Sequence, residues 1–332
     1  MVESLSDPLH PTVVCTLNNA FPRTFISANE VSLTTNSSGN DPIDGQTTVQ
    51  RLKLATGAQP VNVVTFPGDA VAMGFSPDGT SLAYLAYTNE PGNTNRLWLK
   101  VGDSPARALT PLIPLLGRDG SLDDQLLVQF SPDGKYVLMV DTWVAGPAPA
   151  SPDLAMMQVR STADGSLVWV PPAALQISGN KGGSSITMAA WSHTGDRVFY
   201  RDSSGVHVWD PSGNVSMMAA GLSWSWPSVA PDDSVIAYPV GVVTAPSIEV
   251  RNLTTSTVTP IDGPRGYAVL LSATTMLEAH MVPDTQMGPP FVPGAWFVWN
   301  LATGSETELP AATQNFSVLL DGGPSPLELW ST

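Results

Sequence analysis

The sequence predicts an all-β protein, and both its composition and a repeated hairpin pattern support this. The chain has 332 residues, of which 28 are Gly and 31 are Pro, while only 4 are Lys and 8 are Glu. Helices favour Ala, Leu, Glu and Lys, and Gly and Pro interrupt them, so this composition disfavours a helical fold. Because 42% of the residues are hydrophobic, the chain can still form a large core, which argues against a disordered protein.

The hairpin pattern is clearest around two copies of the tetrapeptide Ser-Pro-Asp-Gly. Residues 73–87 and 128–142 each contain a short apolar strand, this turn, and a second strand of alternating hydrophobicity. Pro presets the backbone of the first turn position, and Asp-Gly accepts the positive φ that reverses the chain. We therefore expect Asp78 and Asp133 to hold these turns. Weaker copies follow the same plan in five further segments: 24–35, 189–202, 227–240, 269–282 and 315–332.

A second periodic signal, a strand that ends in a tight polar turn, lies between these hairpins. It recurs at 49–57, 96–103, 157–165, 206–213, 248–256 and 296–304. Two hairpins in each period make one four-stranded antiparallel sheet, and such sheets repeated around an axis form a β-propeller. The sequence therefore predicts a single β-propeller domain of four-stranded antiparallel blades over residues 1–332.

The number of blades follows from what six complete repeats leave over. Six blades account for residues 24–310, and a C-terminal hairpin at 315–331 and an N-terminal strand at 11–18 remain. We favour seven blades, in which the hairpin supplies the two inner strands of an incomplete last blade and the N-terminal strand lies outside them. Six blades with a terminal extension are the alternative.

The turns at 75–79 and 130–134 resemble the Phe-Ser-Pro-Asp-Gly signature of TolB-like, or WD40-like, propeller repeats (PD40). As architecture the resemblance covers nearly the whole chain, although Pro, Asp or Gly is lost at 192–195, 230–233 and 272–275. It implies a propeller that binds proteins or small ligands, without shared catalytic residues. Such propellers also form the N-terminal gate of prolyl-oligopeptidase-like enzymes, but the sequence contains no Gly-x-Ser-x-Gly motif for their hydrolase domain.

The charge and targeting features restrict the expected partners. A net charge of −15 and a pI near 4.4 disfavour nucleic acids and anionic membranes, which require clustered Lys and Arg. No apolar run approaches the roughly 18 residues of a membrane span, and the N-terminus lacks the regions of a signal peptide. We expect a monomer that is cytoplasmic, or periplasmic or secreted if a leader has been removed. The single cysteine, Cys15, excludes an internal disulfide.

Loop lengths predict which end of the propeller binds ligands. If strands a to d are counted from the axis outward, the a–b and c–d turns share one face, here called the short-turn face. The b–c and d–a loops share the other, the long-loop face. The b–c loops are long in four blades, at 36–46, 88–95, 144–153 and 283–294. Long loops on a rigid scaffold commonly carry binding sites, so we expect the ligand on the long-loop face.

The d–a loops also approach the central channel, and their charged and aromatic residues are candidates for its mouth. The expected ligand-binding residues are Arg23, Asp69, Asp119, Asp123, Asp124, Lys181, Trp224, Trp226 and Arg265. Trp224 and Trp226 alternate, so both can present an apolar plate with a polar N–H. Packing between blades is the alternative for both, and it is what we expect of Trp209 on a third strand. Asp119, Asp123 and Asp124 could bind Ca²⁺, although a solvated loop is the alternative interpretation.

The histidines do not indicate a recognised catalytic or metal site. His10, His193, His207 and His280 lie in separate repeats at unrelated positions, so we predict no metal centre and no cofactor. His280 with Asp284 is the nearest approach to a Ser–His–Asp triad, but no nucleophile is marked. The catalytic residues, if there are any, are therefore unknown.

Three functions remain compatible with the sequence. The favoured one is a non-catalytic propeller that binds a protein or peptide through the long-loop face. The alternatives are a propeller enzyme, a lyase or hydrolase working at the channel mouth, and a carbohydrate-binding propeller that uses the Trp residues. A concave site with convergent charged groups would indicate an enzyme, and a flat apolar patch with a polar rim would indicate a protein binder.

Overall fold

The computed structural model of the chain confirms the all-β prediction. It describes residues 2–4, 12–15, 21–27, 29–36, 46–55, 57–68, 70–88, 94–111, 113–114, 127–144, 153–170, 175–177, 189–202, 204–220, 227–242, 245–283, 291–310, 316–318 and 328–331. Every regular element in these ranges is a β-strand. No segment that the structure describes forms a helix that could span a membrane.

The strands are arranged as consecutive antiparallel sheets, here called blades. The chain begins with β1 (Val2–Ser4) and β2 (Thr12–Cys15). Blade 1 comprises β3 (Phe21–Ser27), β4 (Glu30–Asn36), β5 (Gln46–Lys53) and β6 (Val61–Pro67). Blade 2 comprises β7 (Ala70–Phe75), β8 (Ser81–Thr88), β9 (Thr94–Val101) and β10 (Arg107–Ala108), with β11 (Ile113–Pro114) also paired to β9. Blade 3 comprises β12 (Leu127–Phe130), β13 (Tyr136–Val144), β14 (Asp153–Ser161) and β15 (Leu167–Trp169), with β16 (Leu175–Ile177) also paired to β14.

The second half of the chain repeats this order. Blade 4 comprises β17 (Ala189–Trp191), β18 (Val198–Asp202), β19 (Gly205–Trp209) and β20 (Val215–Ala220). Blade 5 comprises β21 (Ser228–Val229), β22 (Val235–Val242), β23 (Ala245–Asn252) and β24 (Val258–Ile261). Blade 6 comprises β25 (Arg265–Leu270), β26 (Thr275–Pro283), β27 (Phe291–Asn300) and β28 (Ser305–Glu308). The predicted hairpins and third strands are therefore confirmed.

The two chain ends share a seventh sheet, as predicted. Its strand order is β2-β1-β30-β29, where β29 (Phe316–Val318) and β30 (Glu328–Ser331) form the C-terminal hairpin. The expectation of an incomplete last blade was wrong, because β1 pairs with β30 and adds a fourth strand between the hairpin and β2. The expected strand at 11–18 is thus the outermost one and contacts the hairpin only through β1.

Consecutive blades pack through shared apolar clusters. Alternate residues of the second strand of a blade point to opposite neighbours, because side chains in a strand alternate between faces. In blade 2, Leu82 and Tyr84 pack against blade 1, whereas Ala83 and Leu85 pack against blade 3. Equivalent clusters join blades 3 and 4, 4 and 5, and 5 and 6. Contacts of the seventh sheet with blades 1 and 6 lie outside the described side chains, so closure as a seven-bladed ring stays a prediction.

The third-strand tryptophan Trp209 packs between blades, as expected. It is buried in the cluster that joins blades 3 and 4, where it lies 5.0 Å from Trp169 and 6.4 Å from Trp191, measured between ring centroids. Packed aromatic pairs of this kind stabilise a core beyond their buried area. Trp209 is therefore unavailable for binding a ligand.

The turns of the short-turn face are closed by their own hydrogen bonds. Asp133 accepts hydrogen bonds from the Ser131 hydroxyl and the Lys135 backbone N–H, at 2.7 and 3.1 Å. Asp78 accepts the equivalent bonds in blade 2, and the Ser76 hydroxyl bond is the main reason its pKa is lowered. The structural role predicted for both aspartates is confirmed.

The turn of blade 5, which has Asp233 in place of the usual Gly, is stabilised differently. Asp233 takes the position that Gly134 holds in blade 3, with φ of 55° against 71°, a left-handed conformation that Asp tolerates better than most residues. Its carboxylate accepts the backbone N–H bonds of His193 and Thr194 in blade 4, both at 2.7 Å. The side chain therefore ties two blades together, which Gly could not do.

Candidate functional site

The structure describes only part of the channel mouth expected from the sequence. Arg265 is described in full, and Arg23 lies in β3 with its side chain outside the described part. Seven other expected residues lie outside the described residues: Asp69, Asp119, Asp123, Asp124, Lys181, Trp224 and Trp226. The mouth and the Ca²⁺ site therefore stay predictions, and Arg265 is where the site can be built.

Arg265 opens the first strand of blade 6, directly after the d–a connection 262–264, and pairs with His280 on β26. It is buried, with 9% of its surface exposed. Its Nε donates to the Asp262 carbonyl at 2.9 Å, and its guanidinium lies 4.7 Å from the Trp299 ring centroid. These two contacts fix the base of the side chain and leave Nη1 to meet other groups.

Nη1 of Arg265 lies at the centre of an ionisable cluster on blade 6. It donates to Glu306 Oε2 at 2.9 Å and to Glu278 Oε1, and it lies 2.8 Å from His280 Nε2. A guanidinium can only donate hydrogen bonds, so the 2.8 Å contact with Arg265 uses the Nε2 lone pair, whereas the 3.3 Å contact of the same nitrogen with Glu306 Oε2 uses an Nε2 proton. In the first arrangement a neutral His280 ring carries its proton on Nδ1.

The cluster faces blade 5. Glu278 and His280 lie on the same face of β26 as Met276, since all three alternate along the strand. Met276 packs with Ala237 and Ile248 of blade 5, so the whole row points at that blade. His280 also stacks on Phe297, with ring centroids 3.9 Å apart.

Glu278 stands where other blades have a buried tyrosine. Met276 is the first residue of β26 that pairs with β25, and Glu278 lies two residues after it. The same position of the second strand is held by a tyrosine in blades 2, 4 and 5: Tyr84, Tyr200 and Tyr238. Like Tyr200 and Tyr238, each of which packs against the preceding blade, Glu278 is buried. The fold therefore accepts an uncharged side chain here, and the carboxylate of blade 6 is not needed to form the blade.

Burial determines the protonation of Glu278. Its side chain has no exposed surface, and loss of solvation raises its pKa to about 7. The charge of Arg265 opposes this increase and that of Glu306 adds to it. A carboxyl group that exchanges its proton near neutral pH, next to a histidine, is typical of functional sites.

Sequence reasoning missed Glu278 and Glu306. Glu306 is on β28, opposite Trp299 of β27, and its side chain reaches across the sheet to lie 3.3 Å from His280 Nε2. The sequence linked His280 only with Asp284, which lies outside the described residues. The available signal was the presence of Glu on a strand position that is apolar or Tyr in other repeats.

A second histidine cluster, in blade 4, has no catalytic geometry. His207 Nε2 lies 3.0 Å from both the Ser204 hydroxyl and Asp202 Oδ1. In a triad the base and the orienting carboxylate use different ring nitrogens, whereas here both contacts meet the same one. Asp202 also accepts the backbone N–H of Ser204, so this group holds the tight b–c turn of the blade.

Comparisons with known proteins agree on the fold. No protein-family model and no curated protein matches the sequence. An acylaminoacyl peptidase from Pyrococcus horikoshii is 12% identical, with a TM-score of 0.53 over 91% of this chain and 47% of the peptidase. The β-propeller domain of the Trilobed protease from Pyrococcus furiosus is 11% identical, with a TM-score of 0.52 over 92% of this chain and 87% of that domain.

TolB from Acinetobacter baumannii is 17% identical, with a TM-score of 0.43 over 79% of this chain and 59% of TolB. The chain thus spans about half of the length of the P. horikoshii peptidase and somewhat more of TolB. The likeness to the Trilobed protease domain, with its TM-score above 0.5, shows a β-propeller fold. This is the fold that the resemblance to TolB-like repeats implied.

Proposed function

We propose that this β-propeller binds a protein or peptide partner through its long-loop face. The observation that carries the proposal is the contrast between the two ends of the blades. At the short-turn face, the carboxylates of Asp78, Asp133 and Asp233 accept hydrogen bonds from other groups of the chain. Scaffolding of this kind leaves the opposite face to carry recognition.

The strand bounds show which blades carry long connections on the long-loop face. The b–c connections at 145–152 in blade 3 and 284–290 in blade 6 are long, whereas those of blades 4 and 5 contain only residues 203–204 and 243–244. Blades 3 to 6 pack in sequence, so the two blades with short connections lie between two blades with long ones. An extended peptide laid across blades 4 and 5 would have a long connection available on each side.

The blade 6 cluster lies on the blade that carries the long connection 284–290. His280 exposes 32% of its side chain and lies near the end of β26 that precedes that connection, and Arg265 follows the short d–a connection 262–264. A partner on the long-loop face would reach His280 first, because Glu306 is the second residue after the c–d turn 301–304, at the other end of the blade. The proposed Trp224 and Trp226 contacts belong to the d–a connection 221–227, which leaves blade 4 towards the same face.

A matched pair of variants tests the proposal. Peptides would be selected from a displayed random library on the immobilised full chain, and their Kd measured with variants. Replacing 284–290 by Gly and Ser at equal length should weaken binding by roughly tenfold or more, about 1.4 kcal/mol. Ser212→Ala, in a c–d turn of the short-turn face, should leave Kd unchanged. Peptides whose Kd is unchanged by the loop replacement but strongly raised by Ser212→Ala would refute the assignment of faces.

An enzyme, a lyase or hydrolase, is the second candidate, and one observation favours it. The Glu278 carboxyl, with a pKa near 7, suits proton transfer at neutral pH. A substrate would meet His280 and Glu306 before the buried Glu278. Turnover that is lost in both His280→Gln and Glu306→Gln, with unchanged thermal midpoints, would favour this candidate over partner binding.

A further inference from the structure

The cluster on blade 6 has the geometry of a cation-binding site. The ligand atoms of Glu278, His280 and Glu306 all lie within 4.8 Å of one another. His280 Nε2 is 3.4 Å from Glu278 Oε1 and 3.3 Å from Glu306 Oε2. In a tetrahedral site with ligands about 2.1 Å from the metal, neighbouring ligand atoms are about 3.4 Å apart. Both measured separations match that spacing.

Glu278 supplies a second, independent observation. Its Oε2 is buried and has no hydrogen-bond partner within the part of the chain that the structure describes. A buried polar atom without a partner carries a substantial desolvation penalty and calls for an explanation. Because blades 2, 4 and 5 have Tyr at this position, the fold itself does not require that penalty. A cation held by both carboxylate oxygens of Glu278 would supply the missing partner of Oε2.

The charges of the cluster also favour a further cation. Glu278 and Glu306 carry −2 when both are ionised, and one guanidinium compensates half of that. Nη1 of Arg265 contacts all three ligand atoms, so it caps the same group of atoms that a metal would bind. The guanidinium already lies over the Trp299 ring, where a cation–π contact can hold it once Nη1 turns away.

We propose that Glu278, His280 and Glu306 bind a divalent transition metal of the zinc type, and that Arg265 caps these ligands in the metal-free protein. Nitrogen and carboxylate ligands are those that Zn²⁺ prefers, and three protein ligands leave a fourth position for water or a bound group. Nε2 of His280 already faces the other two ligand atoms, and partial exposure of His280 and Glu306 gives the ion a route from solvent. The proposal does not depend on partner binding.

Calorimetric titration of the chelator-treated full chain with Zn²⁺ tests the site, with Co²⁺ absorption as a second readout of its geometry. The expected result is one Zn²⁺ per chain and a tetrahedral Co²⁺ spectrum. His280→Ala and Glu306→Gln should each weaken Zn²⁺ binding by roughly tenfold or more. Both side chains are partly exposed, and an unchanged thermal midpoint without metal verifies that the variants fold.

Two further variants separate this site from adventitious binding. His193→Ala removes a histidine of the short-turn face whose Nε2 contacts the Val229 carbonyl at 3.2 Å, and it should leave Zn²⁺ affinity unchanged. Arg265→Gln should bind Zn²⁺ more tightly than the natural chain, because it removes the competing cation. Equal Zn²⁺ affinity of the natural chain, His280→Ala and Glu306→Gln would overturn the proposal. So would loss of binding in His193→Ala alone.

Discussion

Replacing Glu278 by Gln should remove a pH dependence of stability that this one buried carboxyl group imposes on the chain. Gln keeps the shape of the side chain and one acceptor oxygen but cannot ionise. In the folded chain the Glu278 pKa is raised from an ordinary 4.5 to about 7, so the folded state holds this proton more tightly than the unfolded state does. The resulting stability is present below about pH 4.5 and is lost as the pH rises through 7.

The magnitude follows from the two pKa values. At 1.36 kcal/mol for each pKa unit, the full difference amounts to about 3 kcal/mol. Between pH 5 and pH 8 the expected loss is roughly 2 to 3 kcal/mol, because Glu278 of the unfolded chain is already mostly ionised at pH 5 and part of the stability is lost below that pH. The charge-assisted bond to Arg265 requires the ionised carboxylate, so its pH dependence is already contained in the Glu278 pKa.

The measurement is urea unfolding of both chains from pH 5 to pH 8, in the presence of a chelator to exclude metal. The ionisable groups that face Glu278 are Arg265, His280 and Glu306. The comparison is repeated in a His280→Gln background, which removes the histidine contact, and the difference in slope should persist there. Parallel curves for the natural chain and Glu278→Gln would refute the assignment of a near-neutral pKa to this group.

Three further predictions concern the scaffold. Asp133→Ala should lower the free energy of unfolding by about 1 kcal/mol, measured by urea unfolding, without altering peptide or Zn²⁺ binding. Asp233→Ala should cost more, about 2 kcal/mol or above, since it frees backbone N–H groups of both His193 and Thr194; equal losses for the two variants would contradict the interblade role. Deleting residues 1–18 removes β1 and β2, exposes the edge of β30 and should lower the thermal midpoint; an unchanged midpoint would show that the N-terminus does not close the propeller.

The fold was predictable because its signals are local and repeated. The turn residues at 76–79 and 131–134 fix a chain reversal within a few positions, and alternating hydrophobicity fixes the strands on each side. The fourth strand of the terminal sheet was not predicted, because Val2–Ser4 is a short strand without a turn motif beside it. Val2–Ser4 pairs with β30 at the other end of the chain, and a local sequence pattern cannot predict pairing between residues so far apart in the sequence.

From the sequence, Arg265 was the one member of the blade 6 site predicted to bind a ligand, and His280 was considered only with Asp284. Glu278, His280 and Glu306 are brought together by strand register and by the reach of long side chains across β27. Register across three strands depends on bulges, such as the irregularity between Ala279 and Met281, which the sequence does not mark. The departure of Glu278 from Tyr in other repeats becomes visible only once the hairpins are aligned by their pairing.

Hydrogen–deuterium exchange of the full chain, with and without a peptide selected on it, tests the assignment of the working face most directly. The account predicts that bound peptide protects the b–c connections 145–152 and 284–290 and the d–a connection 221–227. The turns at 131–134 and 210–213 should exchange at the same rate in both states. Protection confined to those turns, with the long connections unchanged, would contradict the claim that the long-loop face binds the partner.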